Sequence, residues 1–297
     1  MRFLLLGGTG QVGQELAGLA IPDDVEIVAP GRSALDLEDG EAIARVIAAE
    51  RWSAVINAAA YTEVDRAESE ERLAFAVNAM APSRLAVETG RRGIPLVHIS
   101  TDYVFDGRKG APYVEQDRVG PLNVYGRSKL AGEHGVRAAN PRHVILRTSW
   151  AYSPHRSNFV KTILRLAAER DRLAVVADQR GCPTAACDIA KTCLDIAMRC
   201  ASEPEEVPYG VYHFTGAGDA SWFEFATAIV EMSAGRRAKT PPVVPIRTSD
   251  FPTAATRPLD SRLDCTAIVR AFDVELRSWR EALEETIDRL PANKDFP

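Results

Sequence analysis

Tyr125 and Lys129 stand four residues apart in the run Tyr125-Gly126-Arg127-Ser128-Lys129. On a helix that spacing puts a phenol and an ammonium on one face, one turn apart. Such a pair is a device for moving a proton. A free tyrosine has a pKa near about 10 and holds its proton too firmly for acid–base work at neutral pH. A neighbouring positive charge stabilises the phenolate and lowers that pKa. Tyr and Lys four apart also occur by chance in many helices, so the pair gains meaning only from its surroundings.

Those surroundings begin with a glycine turn. Arg2 to Leu6 is a short apolar run, and Gly7, Gly10 and Gly13 follow it as GxxGxxG, with Leu16, Leu19 and Ala20 at helical spacing beyond. Strand, glycine turn, helix is the order a dinucleotide site requires. Glycines let the backbone approach a pyrophosphate, and the helix start offers N–H groups and a favourable dipole. A second strand is expected at Val25 to Ala29. Sites for NAD carry a carboxylate at its end to hold the ribose. Here the chain reads Pro30-Gly31-Arg32-Ser33, and Arg32 with Ser33 suits a 2′-phosphate. That predicts NADPH in preference to NADH. Asp36 and Leu37 come next, within reach of an adenine ring or as a cap for the helix expected around 41–50.

The third strand is 54–57, followed by the small residues Ala58, Ala59 and Ala60, then Tyr61 and Thr62. Residues 68–92 have a helical pattern and read as one long helix or two, since Pro82 interrupts, and Asn78 within it reads as a satisfied buried amide. A fourth strand, 94–99, brings Ser100, Thr101, Asp102 and Tyr103 to the carboxyl edge of the sheet, where ligands sit in open parallel folds. Residues 104–123 form a long loop able to shape a pocket. After the helix carrying Tyr125 and Lys129, strands are expected at 143–146 and 173–176, with helices at 157–170 and 188–200. Beyond the acidic, proline-containing connector 203–208 the rhythm breaks.

The pattern predicts an α/β fold: a Rossmann-like, doubly wound parallel sheet with a smaller C-terminal α/β substrate-binding lobe. Residues 1–150, with about 173–200, are assigned to the nucleotide-binding domain. Residues of about 151–172 and 201–297 fall mainly to the lobe, interleaved with it.

Composition narrows the partners. The 297 residues are 46% hydrophobic and 26% charged, with net charge −5. This is ordinary globular composition, and its mild, dispersed acidity argues against nucleic acid or a membrane as the partner. The N-terminal run leads straight into glycines and reads as a strand, not a signal peptide. The cysteines number five, with no CxxC, which points to a reducing cytoplasm. Cys193 and Cys200 share one helical face and read as core. No histidine pair has metal spacing, and the residues themselves assign no metal site.

With the glycine turn, Thr101 and the Tyr125/Lys129 pair in order, the chain resembles the extended short-chain dehydrogenase/reductases. Finer blocks narrow this to the dTDP-4-dehydrorhamnose reductase family: residues 57–62 (NAAAYT), 100–107 (STDYVFDG), 121–126 (PLNVYG), 147–150 (RTSW) and 181–184 (GCPT), with Arg257, Pro258 and Ser261 similar to its C-terminal signature. The resemblance covers essentially the whole chain. It implies NADPH-dependent reduction of the C4 ketone of dTDP-4-dehydro-L-rhamnose to dTDP-L-rhamnose. It also implies roles. Tyr125 is the acid, Lys129 lowers its pKa and holds the nicotinamide ribose, and Thr101 polarises the carbonyl. Asp102, Trp150 and Arg257 contact substrate. Gly10, Gln11 and Val12 match the phosphate turn, and Asp36, Leu37, Ala60, Tyr61 and Thr62 match other cofactor contacts. A monomer or homodimer is expected, and some members of the family hold a magnesium ion (Mg2+) between subunits through acidic side chains. Glu15 is available for that ion, whereas Cys187 stands at the second acidic position. Two alternatives stay open on the residues alone: another nucleotide-sugar 4-ketoreductase or epimerase, and a non-catalytic NADP-binding regulatory subunit.

Overall fold

The computed structural model describes residues 1–234 and 239–291. Five parallel strands follow the expected order: β1 (Arg2–Leu6), β2 (Glu26–Val28), β3 (Ala54–Asn57), β4 (Leu96–Thr101) and β5 (His143–Thr148). They lie in the order β2-β1-β3-β4-β5, and Gly210–His213 completes the sheet parallel to β5. The central strands are apolar on both faces, as Phe3, Leu4, Leu5, Val55 and Ile56 show by being fully buried, because helices cover both sides. On one face Leu16, Ile189, Cys193 and Ile196 pack against Phe3, Leu5 and Ile56. On the other, Ile43, Ile47, Leu85 and Val136 pack against Leu4, Leu6 and Val55.

Two strands sit elsewhere than expected. Leu173–Val176, assigned with the nucleotide-binding domain, pairs in parallel with Val243–Ile246, outside the central sheet. Gly210–His213, assigned with the lobe, forms the edge of the central sheet. Both segments are four residues long, and local periodicity says that such a strand exists without saying which sheet it joins. The helix after the first of them, Ala186–Ser202, does pack on the central sheet.

Of the two readings of 68–92, the structure has one helical run from 71 to 90, and Pro82 does not break it. A π-turn at Ala76–Met80 leads directly into Ala81–Gly90, and Pro82 is the second residue of that last segment, so the widened turn stands immediately before the residue that lacks an N–H. The wide turn carries Asn78, which is 1% exposed. Its amide accepts from the Tyr61 N–H at 2.8 Å and donates to the Tyr61 carbonyl and to Ser128 Oγ, both at 3.0 Å. Asn78 thereby fastens the post-β3 loop to the Val124–Ala139 helix.

The second core gathers Tyr152, Val160, Leu164, Phe225, Ile229, Trp279 and Leu283. The loop after β4 has a small core of its own. Phe105 stacks on Tyr113 at 4.1 Å, and Tyr113 bridges to Leu263.

Candidate functional site

A cleft of about 1250 Å³ runs across the carboxyl ends of the strands. Single small-molecule pockets are typically about 300–1,000 Å³, so this one suits two ligands end to end. One end is the glycine turn. Gly7 has φ +87°, and a Cβ there would sit 2.6 Å from Ala59 N. A Cβ on Gly13 would sit 2.2 Å from Gly7 O. Gly7, Gly10, Gln11 and Val12 line the cleft, while Gly13 lies beneath the turn and lets α1 (Gln11–Ala17) close on it. This cradle, bare of side chains, fits a dinucleotide. Arg32, Asp36 and Leu37 line the same end, and Ala60, Tyr61 and Thr62 line its side. The Arg32 side chain is 80% exposed, 3.5 Å from Glu38, and so is available to a ligand.

The other end holds the proton-transfer set. Val124–Ala139 begins at Asn123, whose side chain accepts from Gly126 N and caps the helix. A Cβ at Gly126 would meet Tyr103 O at 2.2 Å, so glycine sets how closely the helix start approaches the β4 end. Tyr125, Lys129, Thr101, Asp102 and Trp150 all line the cleft. The Tyr125 ring stands edge-on to Tyr103 at 5.8 Å, on the same cleft as Thr101.

The electrostatics depart from the expected picture. Tyr125 is pushed up to about 12, chiefly by burial, with the Thr101 hydroxyl pulling down and Asp102 pushing up. Lys129 has no part in that shift, because its ammonium is turned to the Ile99 carbonyl at 2.6 Å. Burial in turn lowers Lys129 to about 8, against the pull of Glu133. Spacing alone places two side chains on one face without saying where the longer one points.

Asp102 is 2% exposed, bound by Thr101 Oγ1 at 3.1 Å and Ser149 Oγ at 3.0 Å. Burial raises its carboxyl to about 6 from 3.8, against the opposing hydrogen bonds of Ser261, Ser149 and Thr101. The folded protein therefore binds more protons than the unfolded chain between about pH 4 and 6, and this group makes stability fall as pH rises through that window. The full effect is about 2–3 kcal/mol. Asp102→Asn should remove it. In urea titrations at a series of pH values, wild type should lose stability relative to the variant from pH 4 to 7, and parallel curves would refute the assignment.

Residues 1–292 match the family model described as the RmlD substrate binding domain. The chain belongs to this family. A dTDP-4-dehydrorhamnose reductase from Sinorhizobium fredii is 45% identical over 97% of this chain and 97% of its own length. A dTDP-4-dehydrorhamnose reductase from Bacillus anthracis, crystallised in complex with NADP, is 35% identical with a TM-score of 0.89, over 97% of this chain and 98% of that one. A dTDP-4-dehydrorhamnose reductase from Clostridium acetobutylicum is 36% identical with a TM-score of 0.88, over 97% of this chain and 99% of that one.

Within this family site, several residues have contacts that the sequence did not disclose. Trp150 has φ +46° and lies flat on Trp222, ring centroids 3.4 Å apart at 7°. Left-handed backbone at a tryptophan is strained and persists only where packing over-determines it. Gly181 is part of that packing, since a Cβ there would meet the indole at 2.5 Å. Gln11 Oε1 accepts from Ser153 Oγ at 3.1 Å and Asn158 Nδ2 at 3.0 Å, tying the glycine turn to the second lobe. Arg156, Lys161 and Arg165 line the cleft and were not singled out from the sequence. The signal for the last two was Lys and Arg four apart in a segment already read as helical, Phe159–Glu169 in the structure.

Arg257, expected against substrate, is not among the residues that line the cleft of the free protein. Its guanidinium grips Asp65 at 2.7 and 3.1 Å, and Ala255 N donates to the same carboxylate at 3.0 Å. The pair straps the loop 253–258 to the first lobe. The expectation of a bridging magnesium also meets a mismatch. Glu15 is paired with Arg289 at 2.8 Å, with His155 at 3.8 Å, and Cys187 lies 3.4 Å from Arg277. A carboxylate already neutralised by a guanidinium, beside a thiol under a second guanidinium, is a poor donor set for a hard cation. Among the described residues no group of three His, Cys, Asp or Glu could hold a metal ion. No described helix is long and apolar enough to cross a membrane.

Proposed function

We propose that this protein reduces the C4 ketone of dTDP-4-dehydro-L-rhamnose to dTDP-L-rhamnose with NADPH. The observation that carries the reading is the convergence of Thr101, Tyr125 and Lys129 on the cleft that the glycine turn also lines. When bound, the cofactor supplies the hydride that reaches the ketone carbon. The protein's own residues handle the charge this creates on oxygen. Thr101 and Tyr125 both line the cleft; a bound ketone would take the proton that Thr101 now gives to Asp102 as well as that of Tyr125, and the two hydroxyls stabilise the developing negative charge. Tyr125 then gives up its proton. A phenol held near 12 remains more acidic than the secondary alcohol that forms, so the transfer runs downhill. Lys129, still mainly an ammonium at neutral pH, lines the same cleft; its ammonium, bonded to the Ile99 carbonyl in the free protein, would turn to the ribose hydroxyls when the cofactor binds. The intact acid argues for an enzyme over a regulatory binding subunit, which needs no proton donor there.

The test is purified protein with dTDP-4-dehydrorhamnose and NADPH. Loss of nicotinamide absorbance with one equivalent of alcohol formed is expected, and no loss rejects the reading. An epimerase would keep its cofactor and show no net consumption. For the cofactor, the exposed Arg32 and the absence of a carboxylate after β2 support NADPH. Arg32→Ala should lower kcat/KM for NADPH by about tenfold, the value of one charge-assisted contact, and leave NADH nearly unchanged. Equal efficiency with both cofactors in wild type and variant alike would refute the role of Arg32.

A further inference from the structure

We propose that Glu133 is the positioning residue of this site: its buried carboxylate locks the helix bearing Tyr125 and Lys129 to the ends of the two strands that finish at Thr101 and Thr148. The inference rests on the roles given above to Tyr125, Lys129 and Thr101. Glu133 continues their spacing, one further turn along Val124–Ala139. It is 0% exposed. Its Oε1 accepts from Ser100 Oγ at 2.5 Å and from Arg147 Nε at 2.9 Å, and its Oε2 accepts from Arg147 Nη2 at 2.7 Å. Ser100 and Arg147 are register partners across β4 and β5, and the next pair is Thr101 and Thr148. The guanidinium is held from behind by the Phe105 ring, 5.1 Å from its centroid. One carboxylate therefore joins three elements immediately below the residues that line the cleft.

Stability alone is a poor account of this arrangement. A buried ion pair loses much of its Coulomb energy to desolvation, and well-packed apolar residues of similar volume are often as stable or more so. What an apolar pair does not supply is direction. The fork of Arg147 on Glu133 fixes rotation of the helix about its axis as well as its distance from the sheet. Displacing a reacting group by about 1 Å can cost about a hundredfold in rate. Glu133 also bears on Lys129, whose charge it favours. Arg147 is the cation that faces Glu133 from β5, and His98 on β4 is the other titratable group near Lys129, held neutral by its burial.

The experiment compares wild type, Glu133→Gln and the double variant Glu133→Met/Arg147→Met, using full-length protein. The double variant replaces the ion pair by apolar side chains and guards against a single variant that does not fold. For the double variant, Tm should stay close to wild type while kcat falls between about tenfold and a hundredfold, with KM for NADPH and for the keto sugar little changed. The alkaline limb of kcat should move to lower pH, because Lys129 loses the charge that favours its ammonium. An NMR titration of the Lys129 side chain should show the same movement without any turnover. Glu133→Gln should retain more activity than the double variant, since the amide still accepts from Ser100. A double variant with wild-type kcat and an unmoved Lys129 titration overturns the proposal, as does a loss of activity that only tracks a loss of folded protein. Wild type without turnover would instead overturn the reductase reading, so the two failures are distinct.

Discussion

Tyr125→Phe is expected to lower kcat by about 10²–10⁴-fold, the usual contribution of a positioned acid, with NADPH affinity within about twofold of wild type. The change removes one oxygen. The ring keeps its edge-on packing against Tyr103 at 5.8 Å, and the helix keeps its Asn123 cap, so the cleft keeps its shape. Thr101 remains and still donates to Asp102 at 3.1 Å, but a threonine hydroxyl is a much weaker acid than a phenol. The alkoxide must then wait for a proton from solvent. Steady-state turnover and a fluorescence titration of NADPH, run on the same preparation, separate the two effects. A kcat within tenfold of wild type would show that another group delivers the proton. A parallel loss of cofactor affinity would show that the hydroxyl holds the site together and does not act as its acid.

What was legible in the sequence was local. The glycine turn and the Tyr125/Lys129 spacing each lie within a few residues, and backbone geometry fixes what such spacings do. The strands β1 to β5 were legible for the same reason. What was hidden depends on partners far along the chain. Arg257 reads as a basic residue in a polar loop, and only the fold brings it to Asp65, 192 positions away. Glu133 reads as one more charge on an amphipathic helix until Arg147 and Ser100 close on it. The strand 173–176 is legible from its local pattern, but which sheet it joins is a long-range property, as is the place of 210–213 at the edge of the central sheet. The Tyr125 charge balance failed differently. The neighbours were right, but a flexible lysine found a carbonyl on the strand to bond, and burial outweighed it.

The second large effect belongs to Gly13→Ala, the smallest side chain that can be added. A Cβ there would lie 2.2 Å from Gly7 O, 2.5 Å from Gly8 Cα and 2.8 Å from Gly8 C. All three are backbone atoms of the turn, and Gly7 is itself held at φ +87° against Ala58 and Ala59. Relief therefore requires α1 to lift away from the turn, because no flexible side chain can yield. Overpacking of this kind costs about 1–3 kcal/mol. The strain falls on the N–H groups of the turn that face the cleft, so NADPH affinity should drop by more than about tenfold alongside a fall in Tm. Gly31→Ala is the matched control. It lines the same end of the cleft, its added Cβ meets nothing within 4 Å, and it should change stability by less than about 0.5 kcal/mol. Calorimetric titration of both variants with NADPH decides the matter. If Gly13→Ala bound the cofactor as well as Gly31→Ala, the turn would not be the element that receives the phosphates.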